Sequence, residues 1–384
     1  MMHALSLALL GLLTACVAPT PAPPPTPAPP VAISTLRPTS FAAIPGWRAD
    51  DARGAWDAFG RGCQALGGTP AWAAVCNEAS APAPADPEAV RRFFESHFTP
   101  YQVVNQDGTE QGLITGYFEP LLRGSRTASS RYPYPLYGVP DDLLTVDLSE
   151  VYPELTHLRL RGRIEGRRVV PYYPRAEIER GRARLTGREI LWVDDPLDLY
   201  FLQVQGSGRV QLDTGETIRI GYADQNGHRY TSIGRVLIER GEMTIKEASM
   251  QAIRAWAGKN PDQVTDLLKQ NASYVFFREL PASGPGPFGT LGVALTAGRS
   301  LAVDPRAIPL GAPVFLATTW PGSGKPLERL MVAQDTGGAI KGGVRADVFW
   351  GFGAEAGELA GRMGENGRLW VLLPRGYRPD AVKD

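Results

Sequence analysis

The sequence predicts a mainly β protein with packed helices, and two observations point to this class. Short apolar runs bounded by turn residues recur from 101 to 230 and again from 274 to 374, as in strands that close into a barrel. The chain also contains 43 glycines and 34 prolines among its 384 residues, well above the average combined share of about 12%. This excess indicates many turns rather than a helical bundle.

The charge balance and the scattered positions of histidine and cysteine, the usual metal-binding residues, exclude several classes of function. Forty basic and 40 acidic side chains leave no net charge, whereas nucleic-acid binders usually carry a basic excess or stripe, so we expect no nucleic-acid partner. The four histidines are scattered, and the three cysteines lack metal-ligand spacing. Glycine motifs that cradle phosphates are absent as well. We therefore predict no metal and no cofactor.

An apolar segment at 1–15 has the length of a secretory signal core and is too short to span a bilayer. It ends at 13–16 (LTAC) and resembles the bacterial lipobox, although only His3 and no Lys or Arg precedes it. The resemblance implies cleavage before Cys16 and lipidation of that residue, and Val17 after it favours the outer membrane. The alternative is an ordinary secretory signal followed by a chance cysteine.

The region after the signal divides into a tether and a helical segment. Residues 16–40 are rich in proline, which favours extended polyproline geometry and cannot form a core. Helical spacing of apolar residues then predicts a helical segment at 41–100. It contains Cys63 and Cys76, which form either a short-range disulfide in an oxidising compartment or two buried free thiols.

Local signals predict further helix starts and strands. The pair at 86–87 (DP) is typical of a helix start. The run at 244–247 (TIKE) matches a capping box that opens a helix. The run at 200–205 (YFLQVQ) is interpreted as a strand that enters a turn at Gly206.

Three aspartates near the C-terminus stand at the ends of apolar runs, where a strand would deliver each to a barrel rim. They are Asp304, Asp335 and Asp347, and a glycine-rich loop at 336–343 separates the last two. A carboxyl pressed among apolar groups has a raised pKa, as a general acid needs at neutral pH. The alternative is that each aspartate only caps a loop.

Five motifs in a fixed order give the chain a close resemblance to a known family. They are 116–120 (GYFEP), 203–208 (QVQGSG), 221–230 (GYADQNGHRY), 299–311 (RSLAVDPRAIPLG) and 333–351 (AQDTGGAIKGGVRADVFWG). The set resembles the membrane-bound lytic murein transglycosylase A family, with its C-terminal three-aspartate domain.

The resemblance implies a double-psi β-barrel domain with a smaller inserted β-domain and a glycan groove between them. The barrel domain with its helices would comprise 101–124 and 231–384, and the insert would comprise 125–230. The partners implied are peptidoglycan glycan strands, the outer membrane through the lipid anchor, and cell-wall synthase complexes. The location implied is that of an outer-membrane lipoprotein facing the periplasm.

The resemblance also implies roles for individual side chains. The catalytic acid matches Asp347, and the other two motif aspartates match Asp335 and Asp304. Asp335 would hold Asp347 or steady an oxocarbenium charge, or else only tie down the glycine-rich loop. Tyr117 and Trp350 would stack on sugars or belong to the core. The other candidate sugar-binding residues are Glu119, Gln205, Ser207 and Asn226.

The activity implied is that of a peptidoglycan lytic exotransglycosylase, a lyase acting on polysaccharide. It cleaves the β-1,4 bond between N-acetylmuramic acid and N-acetylglucosamine, and the C6 hydroxyl of the sugar closes onto C1. Because water is not the attacking group, one carboxyl can act first as acid and then as base. Two alternatives stay open: a hydrolase that pairs Glu119 with Asp347, and a glycan-binding lipoprotein without activity. The sequence leaves open whether chain ends or interiors are cut.

Overall fold

The computed structural model describes residues 34–155, 158, 160–245, 247–282, 286–377 and 379. The predicted signal at 1–15, Cys16 and most of the predicted tether lie outside these residues. None of the described helices is both long and apolar enough to cross a membrane.

Helices and strands alternate through the described chain. The helices are α1 (Arg53–Leu66), α2 (Pro70–Glu78), α3 (Pro87–His97), α4 (Arg175–Glu179), α5 (Pro196–Gln205), α6 (Ile233–Glu239), α7 (Met250–Lys259), α8 (Pro261–Leu268) and α9 (Ala354–Arg362). The strands are β1 (Ser34–Pro38), β2 (Phe98–Asn105), β3 (Gly112–Glu119), β4 (Leu121–Ser125), β5 (Tyr134–Tyr137), β6 (Leu144–Thr145), β7 (Arg161–Glu165), β8 (Arg168–Pro171), β9 (Glu189–Val193), β10 (Ser207–Leu212), β11 (Thr217–Gln225), β12 (Val275–Leu280), β13 (Ser300–Val303), β14 (Pro313–Thr319), β15 (Pro326–Asp335), β16 (Ala346–Phe352) and β17 (Gly364–Pro374).

The largest sheet of the described chain closes on itself. Its strand order is β1-β2-β17-β14-β15-β13-β16-β3, and β17 also pairs with β3. Six strands therefore form a ring, with β1 and β2 continuing the sheet from β17. Strand β14 lies between β15 and β17, and its residues 313–318 are all buried, as expected for a strand covered on both faces. The ring supplies the main core of the protein.

The N-terminal helices cover this barrel with aromatic side chains. The Asp86 carboxylate accepts a hydrogen bond from the backbone N–H of Glu88 at 3.0 Å, and Pro87 occupies the first turn, which confirms the predicted start of α3. Phe59 of α1 meets Phe98 of β2 edge to face, with ring centroids 5.7 Å apart. These contacts fix the helices on the sheet by burying large rings.

A second sheet contains six described strands in the order β12-β11-β10-β4-β9-β5, and β6, β7 and β8 form a small separate sheet. Strand β4 begins at Leu121 and β12 ends at Leu280. The second sheet therefore reaches beyond both ends of the range 125–230 expected for the insert. Strand β3 of the barrel continues into β4 through Pro120 alone, so the chain passes directly from one sheet to the other.

The prediction of a strand at 200–205 is wrong, because these residues belong to α5. The Asp195 carboxylate caps the helix by accepting hydrogen bonds from the N–H groups of Leu197 and Asp198. Gly206, with φ of 80°, ends it. The helix is apolar on two sides, so its sequence lacks the polar stripe that marks a surface helix. One side packs on the second sheet and the other on α6, α7 and α8.

The capping box at 244–247 does not open a helix, contrary to the prediction. The Glu247 carboxylate accepts from the Thr244 N–H at 3.1 Å, as in a capping box, but it also accepts from the Thr244 hydroxyl at 2.6 Å, and no N–H of a described residue donates to that hydroxyl. Helix α7 begins instead at Met250, where the Ser249 hydroxyl accepts from the N–H of Ala252. The neighbouring helices α6 and α8 begin at Ile233 and Pro261.

Cys63 of α1 and Cys76 of α2 form a disulfide, with Cα atoms 5.1 Å apart. The sequence had left this bond and two free thiols as alternatives. The bond closes a short loop, with a sequence separation of 13, and ties two helices that cover the barrel.

Replacing both residues, Cys63→Ala with Cys76→Ala, should lower the free energy of unfolding by about 3 kcal/mol, because the loop no longer restricts the unfolded chain. Urea denaturation of the oxidised protein measures the loss. A thiol reductant should produce a similar loss in the parent and none in the double variant. Equal urea midpoints for parent and variant would show that the bond adds no stability.

Candidate active site

The strand order places two of the three aspartates on either side of one small residue. Strand β13 lies between β15 and β16, and Ala302 pairs with both Asp335 and Asp347. Neighbouring strands lie about 5 Å apart, so the two aspartate Cα atoms are about 10 Å apart across β13. Paired residues share a face of a sheet, and the methyl group of Ala302 leaves room above it for the two carboxyls.

Asp347 has the electrostatics of a general acid. Its side chain is half-buried, and its Oδ1 accepts a hydrogen bond from the Thr115 hydroxyl at 2.8 Å. Burial raises the pKa of this carboxyl to about 6, against the opposing effects of Arg345 and Thr115, and the negative charge of Asp335 adds to the rise. The proton is therefore held closer to neutral pH than on an ordinary aspartate.

Asp335 is held by a full set of donors. Its Oδ1 accepts from the N–H groups of Thr290 and Thr336, at 2.9 and 2.8 Å, and its Oδ2 accepts from the Tyr117 hydroxyl at 3.0 Å. Burial raises the pKa of Asp335, although these donors oppose the rise. The Tyr117 ring lies against Phe349 of β16, with centroids 5.2 Å apart, so the phenol is held by contacts with both aspartate strands.

Asp304 is an ionised anchor, which sets it apart from the two other motif aspartates. Its buried carboxylate accepts from the Arg306 guanidinium at 2.6 Å and from the Gly342 N–H at 3.0 Å. Burial pushes its pKa up, but these hydrogen bonds outweigh burial and hold the pKa below the ordinary value. Asp304 thus ties the glycine-rich loop to β13, and the structure does not bring it forward as a proton donor.

Sequence comparison identifies the family. The MltA specific insert domain matches residues 113–278, and the 3D domain matches residues 299–373, which include all three aspartates. Membrane-bound lytic murein transglycosylase A of Escherichia coli K12 is 35% identical over 280 residues, 71% of this chain and 68% of that protein. The chain belongs to the membrane-bound lytic murein transglycosylase A family.

Solved structures of the family share the fold. A crystal structure of MltA from Neisseria gonorrhoeae is 40% identical, with a TM-score of 0.76, over 90% of this chain and 94% of that one. A crystal structure of Escherichia coli MltA with bound chitohexaose is 27% identical, with a TM-score of 0.62, over 88% of this chain and 91% of that one. The mainly β architecture with packed helices that the sequence predicted is confirmed.

The family's first motif, 116–120, alternates between the two faces of β3. Tyr117 faces the aspartates, whereas the Gly116 position faces the Trp350 indole, which would lie 2.6 Å from a Cβ atom there. Trp350 is buried on the opposite face of β16 from Asp347, and its Nε1 donates to the Met363 sulfur. The structure therefore assigns Trp350 to the core rather than to sugar stacking.

Asn226 is also placed in a structural role, contrary to the sugar-binding role expected for it. Its Nδ2 donates to the carbonyls of Tyr173 and Ala272, at 2.9 and 2.8 Å, and its Oδ1 accepts from the Tyr274 N–H at 2.9 Å. With only 1% of its surface exposed, the amide has no capacity left for a sugar. It links three chain segments of the second sheet and its helices.

The remaining candidates lie where the barrel meets the second sheet. The Gln205 Oε1 accepts from the Phe118 N–H at 2.9 Å, so this side chain ties α5 to β3. Ser207 is buried at the start of β10. The Glu119 carboxylate is buried and lies 3.5 Å from the Arg209 guanidinium, and its Oε1 has no partner among the described residues. Burial raises the pKa of Glu119.

Two residues outside the sequence motifs, Thr115 and Thr290, contact the aspartates, and Arg345 contacts Thr115. Thr115 donates to Asp347, Arg345 donates to Thr115 at 2.9 Å, and Thr290 donates through its N–H and its hydroxyl to Asp335. The alternation of β3 was a usable signal for Thr115, because it stands two residues before Tyr117 and so shares its face. No local pattern points to Thr290, which reaches Asp335 from a distant loop. Among the described residues, no cluster of three or more metal-ligating side chains occurs.

The substitution Asp304→Asn should lower the free energy of unfolding at pH 7 by about 2–3 kcal/mol, because charge-assisted hydrogen bonds to Arg306 and Gly342 are weakened. The folded pKa of Asp304 is depressed, so its contribution is present above the unfolded value near 3.8 and is lost as pH falls. The difference between parent and variant should therefore shrink below about pH 4. Urea denaturation across pH measures it.

The control is Asp213→Asn, an exposed aspartate in the turn between β10 and β11, which should leave stability unchanged. A pH-independent difference for Asp304→Asn would contradict an ionised anchor.

Proposed function

We propose that this chain is a peptidoglycan lytic transglycosylase that cleaves the β-1,4 bond between N-acetylmuramic acid and N-acetylglucosamine and leaves 1,6-anhydromuramyl ends. The observation that carries the proposal is Asp347, a half-buried carboxyl whose pKa is raised to about 6. It lies near Asp335, a second carboxyl whose pKa is also raised. Membership of the lytic murein transglycosylase A family supports it. The chitohexaose bound to Escherichia coli MltA supports a glycan as the ligand class.

In the first step, protonated Asp347 donates its proton to the glycosidic oxygen as the bond from that oxygen to C1 breaks. The departing sugar carries the proton away as a hydroxyl, and positive charge develops on the remaining ring. Asp335 lies across Ala302 and can face that charge from the other side of β13. The donors from Thr290 and Tyr117 hold the Asp335 carboxyl in one orientation.

In the second step, ionised Asp347 accepts the proton of the C6 hydroxyl while that oxygen bonds to C1. The 1,6-anhydro ring forms, and the carboxyl returns to its protonated state, so no proton is gained or lost over the cycle. A single carboxyl suffices because the nucleophile belongs to the substrate. Partial burial of Asp347 and the packed Tyr117–Phe349 pair limit water near C1 and favour ring closure over hydrolysis.

The geometry of β3 disfavours a hydrolase that uses Glu119 with Asp347. Thr115 pairs with Asp347, whereas Glu119 pairs with Phe352, four residues further along the strand. This spacing is about 13 Å at the rise of a strand, and paired glycosidase carboxyls lie about 5–9.5 Å apart. Glu119 is also enclosed beside Arg209.

We further propose the finer fold and location implied by the family resemblance. Parallel pairing of β13 with β15 and of β16 with β3 within a six-stranded ring supports a double-psi barrel. We place the inserted domain at about 121–280, following the second sheet, with the glycan groove between it and the barrel. Lipidation at Cys16 and the proline-rich tether would anchor the protein to the outer membrane, facing the periplasm and within reach of cell-wall synthase complexes.

The substitution Asp347→Asn should abolish release of anhydro-ended fragments, by at least about a thousandfold, because the amide can neither donate nor accept the proton. Mass spectrometry of fragments from purified sacculi measures both rate and product. Reducing muramic ends in the parent would indicate a hydrolase. Equal fragment release by parent and variant would show that Asp347 is not the acid, and no release by either would leave a glycan-binding protein.

Stability supplies the control for this variant. The pKa of Asp347 is raised in the folded protein, so ionisation of this carboxyl lowers the free energy of unfolding. The loss of stability grows as pH rises through the folded pKa of about 6. Asp347→Asn should therefore be about 1–3 kcal/mol more stable than the parent at pH 7.5 and not at pH 4. Lost activity in a more stable protein excludes misfolding as the cause.

The pH profile of kcat/KM should fall about tenfold per pH unit above a midpoint near 6, because the first step requires protonated Asp347. Initial rates of fragment release from soluble, uncrosslinked glycan strands measure it. A midpoint near the ordinary aspartate value, about two units lower, would mean that the acid is not a buried carboxyl.

A further inference from the structure

Arg345 lies beside the proposed acid without contacting it. Its Nη2 donates to the Thr115 Oγ1 at 2.9 Å, and its Nη1 donates to the carbonyls of Leu113 and Ala346 at 3.2 and 2.6 Å. No ion pair joins Arg345 to Asp347 within the part of the chain that the structure describes. The guanidinium therefore acts on the threonine hydroxyl directly and on the carboxyl only through space.

This contact sets the direction of the neighbouring hydrogen bond. An N–H group of Arg345 must donate, so the Thr115 oxygen accepts from it. Among the described residues, the Thr115 hydroxyl donates to the Asp347 Oδ1, at 2.8 Å. A hydroxyl that accepts from a cation becomes a stronger donor, and a buried hydroxyl without an acceptor costs free energy. Both effects point the Thr115 hydrogen toward Oδ1.

The two oxygens of Asp347 are thereby made different. Oδ1 is occupied by the hydroxyl donor, whereas Oδ2 accepts no hydrogen bond from any described residue. A proton on a carboxyl occupies the oxygen that is not accepting a strong donor. The proton must therefore reside on Oδ2, which is also the oxygen left free for the substrate.

We propose that Arg345 and Thr115 form a relay of positioning residues that keeps the catalytic proton on Oδ2 of Asp347 and returns it to the same oxygen. This inference rests on the proposed function. In the reaction, Oδ2–H donates to the leaving oxygen as the C1–O bond breaks, and Oδ2 later takes the C6 hydroxyl proton as the O6–C1 bond forms. Oδ1 keeps its hydrogen bond from Thr115 throughout, so the carboxyl does not rotate between the steps.

Other charged groups also face this carboxyl and affect its titration. Arg345 immediately precedes β16, Asp335 reaches Asp347 from β15, and the Tyr117 phenol faces it from β3. The Tyr117 pKa is raised well above its ordinary value, by burial first and then by the two aspartates, so this group stays neutral in the working range. Substitutions at Thr115 leave all three groups in place.

The test compares Thr115→Val, which removes the hydroxyl at nearly constant shape, with Thr115→Ser, which keeps it. Thr115→Val should lower kcat about tenfold with little change in KM. Because the ionised carboxyl loses a hydrogen-bond donor, the midpoint at which kcat/KM falls at high pH should move upward by about one pH unit or more. Thr115→Ser should stay within about threefold of the parent in kcat, with an unmoved midpoint. Rates are measured on soluble, uncrosslinked glycan strands from about pH 4 to pH 9.

Arg345→Met should also lower kcat. In the Thr115→Val background it should lower kcat by less than a further factor of about three, because the effect of Arg345 on the orientation of the carboxyl passes through the Thr115 hydroxyl. Thr318→Val is the matched control. It removes a buried threonine hydroxyl of the same barrel that donates to the Asn366 carbonyl at 2.8 Å, and it should leave the pH midpoint in place.

A carboxyl ¹³C NMR titration, with the Asp347 signal assigned by its loss in Asp347→Asn, follows the relay without using activity. The Asp347 pKa should rise in Thr115→Val and not in Thr115→Ser. An unmoved pKa and kcat in Thr115→Val, or equal defects in the Val and Ser variants, would overturn the relay. Failure of the parent to form anhydro ends would instead overturn the proposed function, and the titration would still decide whether the hydroxyl donates to Oδ1.

Discussion

Removal of the Asp347 carboxyl from bulk water is the constraint on which the rest of the site depends. Burial favours the neutral form, and the protein keeps this effect by placing its nearest cation on Thr115 rather than on the carboxyl. A direct ion pair with Arg345 would hold Asp347 ionised and leave no proton to donate. The small side chain of Ala302 then brings a second carboxyl across one strand, and its charge also favours the protonated form.

Asp304 shows the opposite solution within the same domain. Asp304 directly follows a buried strand, and Asp335 is the last residue of another, so the two occupy similar positions. The Asp304 carboxylate nevertheless contacts the Arg306 guanidinium directly and stays ionised. The position of one guanidinium relative to each carboxyl therefore separates an ionised loop anchor from a carboxyl whose pKa is raised. Aspartates of one motif set need not share a chemical role, because charge state follows local contacts more than strand position.

Local signals of the sequence predicted some features correctly, although the run at 244–247 did not open a helix, whereas features that depend on long-range pairing were not predictable. The start of α3 followed from 86–87, because capping involves only adjacent residues. Helix α5 was misassigned, because a helix covered on two sides loses the periodic polar stripe.

The same division applies to the site. The three aspartates could be identified from motifs. The structural role of Asn226 could not, because its amide donates to two carbonyls that lie about 50 residues away, one before it and one after it in the sequence. The burial of Trp350 behind β16 was within reach of the sequence, since alternate residues of a strand face opposite sides and Asp347 is three positions earlier. The contact from Thr115 to Asp347 required the parallel register of β3 with β16, which no local pattern gives.

The closure of the ring by β3 and β17 has a consequence for how the protein is made. Gly112 pairs with Gly367, so two strands about 250 residues apart in the sequence must meet before the barrel is complete. Contacts this distant in sequence form late, because a long loop must close before they form. A chain emerging from its N-terminus cannot close the ring that carries the candidate site until β17, the last described strand, has been made. An enzyme that cleaves peptidoglycan would thus gain its activity only at the end of its synthesis.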